Sequence, residues 1–343
     1  MTDNGFNRRD AMKIAGIGAG MGIVGGTLLG TPAASSAGMI EGIQLVRNMN
    51  EGRKLDPDAG LSVLLLGTGT PIPNLDRACA STMVIAGDRT IMVDSGRFSS
   101  MRMAQAGVLN PAILLYTHFH SDHITDFGEV MINRFAMAGA DRPLPVIGPV
   151  GVKKMVGHLM SAYAPDKQYR IEHHGWAVSE KGYEVDIKES QPGVVYDEDG
   201  LKITMFEVDH YPVVPAVAYR FDYKGQSVVV SGDTKKVPQM AEMAKGCDIL
   251  VHEAINKDLL AAGRDVANTS ERTQKMSTDI LDYHTMTDEV AEIARDAKVK
   301  KLVLTHMVPS PMNRVMEAMF AKGMRKIYKG PIKVGRDLME IKA

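Results

Sequence analysis

Residues 116–123 read Tyr-Thr-His-Phe-His-Ser-Asp-His, which places three of the chain's 10 histidines and an aspartate within six positions. A short apolar run, Ile113 to Tyr116, precedes them and reads as a buried strand. Asp122 to Ala138 follows with helical spacing. Strand ends and the loops after them are where functional side chains gather. His118 and His120, two apart on an extended loop, can converge on one point, while Asp122 and His123 can aim at a second. Imidazole and carboxylate are donors that zinc and its neighbours accept readily. Solvated or helix-capping histidines are the plainer alternative, and they account better for a lone His than for this cluster. The spacing is read as a metal site with ligands for two adjacent cations.

The chain has 343 residues, 45% of them hydrophobic, and a formal net charge of −1. It is long enough for one large domain with a full core. Near-neutral charge gives no sign of a polyanion partner, so nucleic acid is not expected. The 24 methionines read as adaptable core. Cys79 and Cys247 are the only cysteines. Two are too few for a Cys-based zinc site, and they read as buried free thiols, with pairing left open.

The N-terminus reads as a leader. Asn7-Arg8-Arg9-Asp10-Ala11-Met12-Lys13 is followed by an uncharged Gly- and Ala-rich run, Ile14 to Gly30. Thr31 to Ala37 then supplies the small residues of a cleavage site. This is the layout of a twin-arginine signal peptide over residues 1–37, with a membrane anchor as the alternative. It implies contact with the export machinery and a periplasmic or secreted location. Residues 38–60 form a lead-in, and the main domain is expected over 61–343, opening with Leu61 to Leu66.

Further strands are expected at Thr82–Ala86, Thr90–Val93, Leu201–Val208, Ala216–Tyr223, Gln226–Ser231, Ile249–His252 and Lys301–Leu304. Thr287 to Lys298 reads as an amphipathic helix with a Thr cap. Pro143 to Gly200 reads as irregular, with His173 and His174 on a strand or loop within a stretch that could wall a pocket. Strand meanders alternating with helical pieces point to a layered α/β or α+β fold.

His-x-His-x-Asp-His after an apolar strand resembles the metallo-β-lactamase superfamily signature. The remaining pieces follow in order: Asp94 at the end of an early strand pair, His210, Asp233 and His306, each just after a strand. The resemblance covers roughly Leu61 to Ile341 and implies a four-layer αββα sandwich with two metals at one edge. It implies that His118, His120 and His210 hold one metal, that Asp122, His123 and His306 hold the other, and that Asp233 bridges them. Asp94 would orient a ligand rather than bind. Two divalent ions, zinc by default with manganese or iron also suited to the donors, would generate a bridging hydroxide as nucleophile.

The bridging position carries Asp233 rather than Cys, which departs from the zinc β-lactamases. Leu66-Gly67-Thr68-Gly69-Thr70-Pro71 with Arg77, Val251-His252-Glu253-Ala254 and Tyr283-His284-Thr285 resemble motifs of the ribonuclease Z-like branch, which includes phosphodiesterases and arylsulfatases. By that resemblance His284 is the general acid, the alternative being a helix-capping role. Asp122 is the other catalytic candidate, and His252 and Glu253 would support His284. Arg77, Arg97 and Tyr211 lie beside these motifs and are candidates for gripping an anionic oxygen. Ribonuclease Z proteins usually insert a tRNA-gripping arm between the positions of His210 and Asp233, which here are 23 residues apart.

The expectation is therefore an exported hydrolase of small phosphodiesters or sulfate esters. A lactonase or other carboxylic ester hydrolase is the alternative on the same metals. A non-catalytic metal-binding protein is the alternative of another class. The resemblance also implies a homodimer.

Overall fold

A computed structural model describes residues 42–48, 51–267 and 270–343. The expected leader, residues 1–37, lies outside the described residues. Among those described, no helix is long and apolar enough to cross a membrane. Residues 45–343 form one compact unit, which contains both sheets and the site.

The first sheet holds β1 (Leu61–Gly67), β2 (Ser81–Ala86), β3 (Arg89–Val93), β4 (Ile113–Leu115), β5 (Leu144–Gly148), β6 (Val185–Glu189) and β14 (Glu340–Lys342), in the order β14-β1-β2-β3-β4-β5-β6. The second holds β7 (Gly193–Glu198), β8 (Leu201–His210), β9 (Val213–Tyr223), β10 (Gln226–Val230), β11 (Ile249–Ile255), β12 (Lys301–Val308) and β13 (Ile332–Val334), in the order β13-β12-β11-β10-β9-β8-β7.

Residue alternation along β1 shows why apolar runs are continuous here. Val63 and Leu65 join the core between the sheets, with Val93, Leu115, Tyr219, Val230 and Val251. Leu64 and Leu66 face the other way, into a cluster with Phe127, Val130, Val152 and Val156 from helices outside the sheet. Leu250, Leu302 and Leu304 pack likewise under the helix Thr287–Asp296. Strands buried on both faces lose the polar alternation of one-sided sheets. The result is the expected helix–sheet–sheet–helix sandwich.

Three segments differ from expectation. The helix expected over Asp122–Ala138 is broken into Ser121–Ile124, Phe127–Ile132 and a π-type turn, Asn133–Met137. Asp126 sits at the break, where its carboxylate accepts from the Ser100 amide (2.9 Å) and hydroxyl (2.6 Å). The supposedly irregular Pro143–Gly200 contains the helix Val152–His174, so His173 and His174 end a helix rather than lie on a strand or loop. Thr287 begins its helix instead of capping it: the Met286 amide donates to the Glu289 carboxylate at 3.1 Å. Cys79 and Cys247 are free and buried, as read, and burial raises their thiols to about 11 and about 12.

Topology gathers the site at one edge. β3 and β4 are parallel, as are β10, β11 and β12, so their carboxyl ends open on the same side. The sheets are tied there: the Tyr219 hydroxyl donates to the Tyr116 carbonyl (2.7 Å) and the Val217 amide to the Thr117 carbonyl (3.0 Å). Gly232 has a φ of +60°, and a Cβ there would meet Thr117 Cβ at 2.9 Å. Glycine allows this approach, which brings Asp233 beside the loop after β4.

Candidate metal centre

The expected ligands lie at or near the carboxyl ends of strands. His118, His120, Asp122 and His123 follow β4, His210 closes β8, Asp233 follows β10 and His306 lies within β12. The β12 ladder slips between Glu253 and Ala254, so that Thr305 and Met307 pair and His306 does not. His306 has a φ of +40° at this bulge. A bulge re-aims a side chain.

The side chains form two groups that share one carboxylate. His118 Nε2 lies 3.1 Å from His120 Nδ1, and His210 Nε2 lies 3.3 Å from the same atom. Asp233 Oδ2 is 3.8 Å from Nε2 of both His118 and His210. On its other side it is 3.3 Å from His123 Nε2 and 3.4 Å from His306 Nε2. Asp122 Oδ2 completes the second group, 3.1 Å from His306 Nε2 and 3.8 Å from His123 Nε2. All are buried except His120, which marks the opening to solvent.

Hydrogen bonds fix which nitrogens face inward. Asp94 accepts from the Thr117 amide (2.8 Å) and hydroxyl (2.7 Å) and from His123 Nδ1 (2.8 Å). With its proton given to Asp94, the Thr117 hydroxyl accepts from His118 Nδ1 at 3.0 Å. His210 Nδ1 donates to the Tyr283 carbonyl at 2.9 Å. The Nε2 lone pairs of His118, His123 and His210 are thereby turned toward the centre, as metal-binding imidazoles require. His123 Nε2 and Asp233 Oδ1 are buried without a hydrogen-bond partner. Unpartnered inward lone pairs beside carboxylates are the donor set two divalent cations satisfy.

Charge agrees with this. Burial lowers His118, His120 and His210, leaving them neutral. Burial opposes ionisation of Asp233 and Asp122. The histidines around each outweigh it, His306 and His123 most strongly at Asp233 and His123 at Asp122, and both acids fall below their ordinary value. Burial likewise opposes charge on His123 and His306, and the carboxylates outweigh it there, Asp233 most strongly. The centre demands positive charge.

His284 stands beside the second group, its ring stacked on His306 at 5.5 Å. Its Nδ1 donates to Glu253 Oε1 at 3.0 Å, and the Thr285 and Thr234 amides donate to the same oxygen. Burial disfavours its charged form, but Glu253 prevails and raises His284 to about 9. Glu253, expected to support His284, thus lies against it. His252 does not: its Nδ1 donates to the Glu253 carbonyl at 2.7 Å, and strand alternation puts it on the face of Leu250, under the outer helices.

Arg77, expected beside the substrate, is turned into the protein. It is 6% exposed and its guanidinium is consumed by the Pro311 and Gly335 carbonyls, the Thr68 hydroxyl and Glu317. All of these partners but Thr68 are distant in sequence, so its neighbours in the chain misdirect. Arg97 lies over the Phe98 ring at 5.8 Å. Tyr211, 72% exposed, follows His210 at the β8–β9 turn. Thr117 and Tyr283 were missed by sequence reasoning, although each directly precedes a singled-out histidine.

Residues 91–307 match the beta-lactamase superfamily domain. The chain belongs to the metallo-β-lactamase superfamily. Within it, the ribonuclease Z branch is the one indicated. Ribonuclease Z of Mycobacterium avium (strain 104) is 38% identical over 82% of this chain and 98% of its own length. Ribonuclease Z of Mycobacterium sp. (strain KMS) is 36% identical over 82% and 95%. Solved structures of the metallo-β-lactamase fold include YhfI from Bacillus subtilis, with TM-score 0.59 at 17% identity over 82% of this chain and 99% of that one. Human tRNase Z, short form, aligns with TM-score 0.57 at 17% identity over 82% and 98%. These superfamily relatives overturn the expectation that nucleic acid is no partner. Net charge is a sum over the whole chain and does not report the field at one site.

Proposed function

We propose that this metallo-β-lactamase-fold hydrolase is a phosphodiesterase acting on RNA. The observation that carries the reading is Asp233 Oδ2 lying between two ligand groups, with His284 held beside them by Glu253. Two divalent ions bound there would activate a water and neutralise developing charge. Hydrolysis of a phosphodiester puts the water oxygen on phosphorus, breaks the bond to the leaving oxygen and gives that oxygen a proton. A ribose alkoxide leaves poorly unless protonated. His284, raised to about 9, carries that proton at neutral pH, while its Nδ1 stays with Glu253 and its Nε2 is free to donate. Likeness to ribonuclease Z proteins over 98% of the length of one of them supports RNA as the substrate class.

The leader-like residues 1–37 favour a second reading, in which the same site, exported, meets small phosphodiesters or aryl sulfates. Zinc is the proposed metal, on donor type.

The test is a substrate panel with metal-loaded protein: an RNA hairpin with a 3′ extension, bis-p-nitrophenyl phosphate and p-nitrophenyl sulfate, beside His120→Ala. RNA cleavage lost in the variant supports the first reading. Turnover of a small ester with the RNA left intact supports the second. Silence on all three with two ions bound ends both readings.

A further inference from the structure

Tyr283 performs two separable tasks. Its carbonyl accepts from His210 Nδ1, which any residue at this position could do. Its ring stands against two site imidazoles: 5.2 Å from His210 with planes at 83°, and 4.9 Å from His284 at 49°. The side chain is half-buried, and its hydroxyl has no hydrogen bond among the described residues. A hydroxyl without a partner does not explain why an aromatic ring is here.

Its place beside the proton donor does. A general acid must reach the leaving oxygen within hydrogen-bond distance. Whatever that oxygen carries is delivered against the neighbours of His284. Among the described residues, three rings lie against it: His210, His306 and Tyr283. The first two are buried and committed to the metal centre. Of the three, Tyr283 alone is part-exposed.

We propose that Tyr283 is the wall of a leaving-group subsite that selects a planar group, the nucleobase of the departing nucleoside, by stacking. This rests on the phosphodiesterase reading above. Stacking on an aromatic side chain tolerates any base, so the subsite would demand planarity without reading sequence.

The experiment compares kcat/KM for an RNA dinucleotide and for the same dinucleotide lacking the base on its leaving nucleoside, in wild type, Tyr283→Phe and Tyr283→Leu. Both substrates meet the same preparation, so loss of fold or metal cancels in the ratio. The wild-type ratio is expected to be about tenfold, kept by Tyr283→Phe and falling to about one in Tyr283→Leu. An equal ratio in Tyr283→Leu and wild type overturns the subsite. If wild type cleaves neither dinucleotide but turns over bis-p-nitrophenyl phosphate, the RNA reading fails. The subsite is then judged by the same ratio between that diester and bis(trifluoroethyl) phosphate. If no diester turns over with two ions bound, the phosphodiesterase reading fails and the subsite with it.

Discussion

His284 Nδ1 lies 3.0 Å from Glu253 Oε1, an oxygen that also accepts from the Thr285 and Thr234 amides. The pair fixes both the orientation and the proton of the imidazole. Because the pKa is raised, to about 9, His284 is protonated below that pH and loses its proton above it. Activity on alkoxide-leaving diesters should therefore hold through neutrality and fall as pH rises through about 9. Glu253→Gln removes the largest of the charges that oppose burial, so the falling limb should move to lower pH and kcat should drop on the order of 10²-fold. A pH–rate profile of the variant that overlays the wild type would remove His284 from acid catalysis.

Among the described residues, Asp233 is the only carboxylate within reach of both ligand groups. Asp233→Ala should cut retained metal from two ions per chain to one or fewer and abolish turnover. Elemental analysis after dialysis reads this directly. Two ions retained in the variant would contradict the shared position.

Asp94 binds no inward atom, yet it orients His123 directly and His118 through Thr117. Asp94→Asn and Thr117→Val should each weaken metal binding about 10- to 100-fold. Chelator competition measures it, and unchanged affinity would make these bonds incidental.

Arg77→Ala should destabilise the fold by about 3 kcal/mol, since it strips a buried carboxylate of one cation and a hydroxyl and two carbonyls of their donors. Urea unfolding gives the loss. A raised KM with unchanged stability would instead return Arg77 to the substrate.

Gly96 packs so closely that a Cβ would lie 2.1 Å from the Asp122 carbonyl and 2.7 Å from the Cys79 backbone. Gly96→Ala must push the ligand loop, and activity should fall more than tenfold even in folded protein. Full activity by the circular-dichroism-normalised rate would show that the loop yields freely.

The gathering of the candidate ligands was legible because each comes near the end of an apolar run, and strands ending at one edge must deliver these residues together. The long helix Val152–His174 was not. Only Val152 and Val156 of it are buried and Pro165 interrupts it, so no apolar stripe of period 3.6 is written there. Arg77 misled for another reason: its partners Pro311, Glu317 and Gly335 lie more than 200 positions away. The role of Thr117 needed the direction of one hydroxyl proton, which spacing does not encode.

The contacts of Asp94 have a thermodynamic consequence. One carboxylate steadies an imidazole from each cation's set, and Asp233 belongs to both sets. The first ion to arrive would therefore organise donors for the second. The two occupancies would then be linked, and a loading curve should be sigmoidal, with few molecules carrying a single ion.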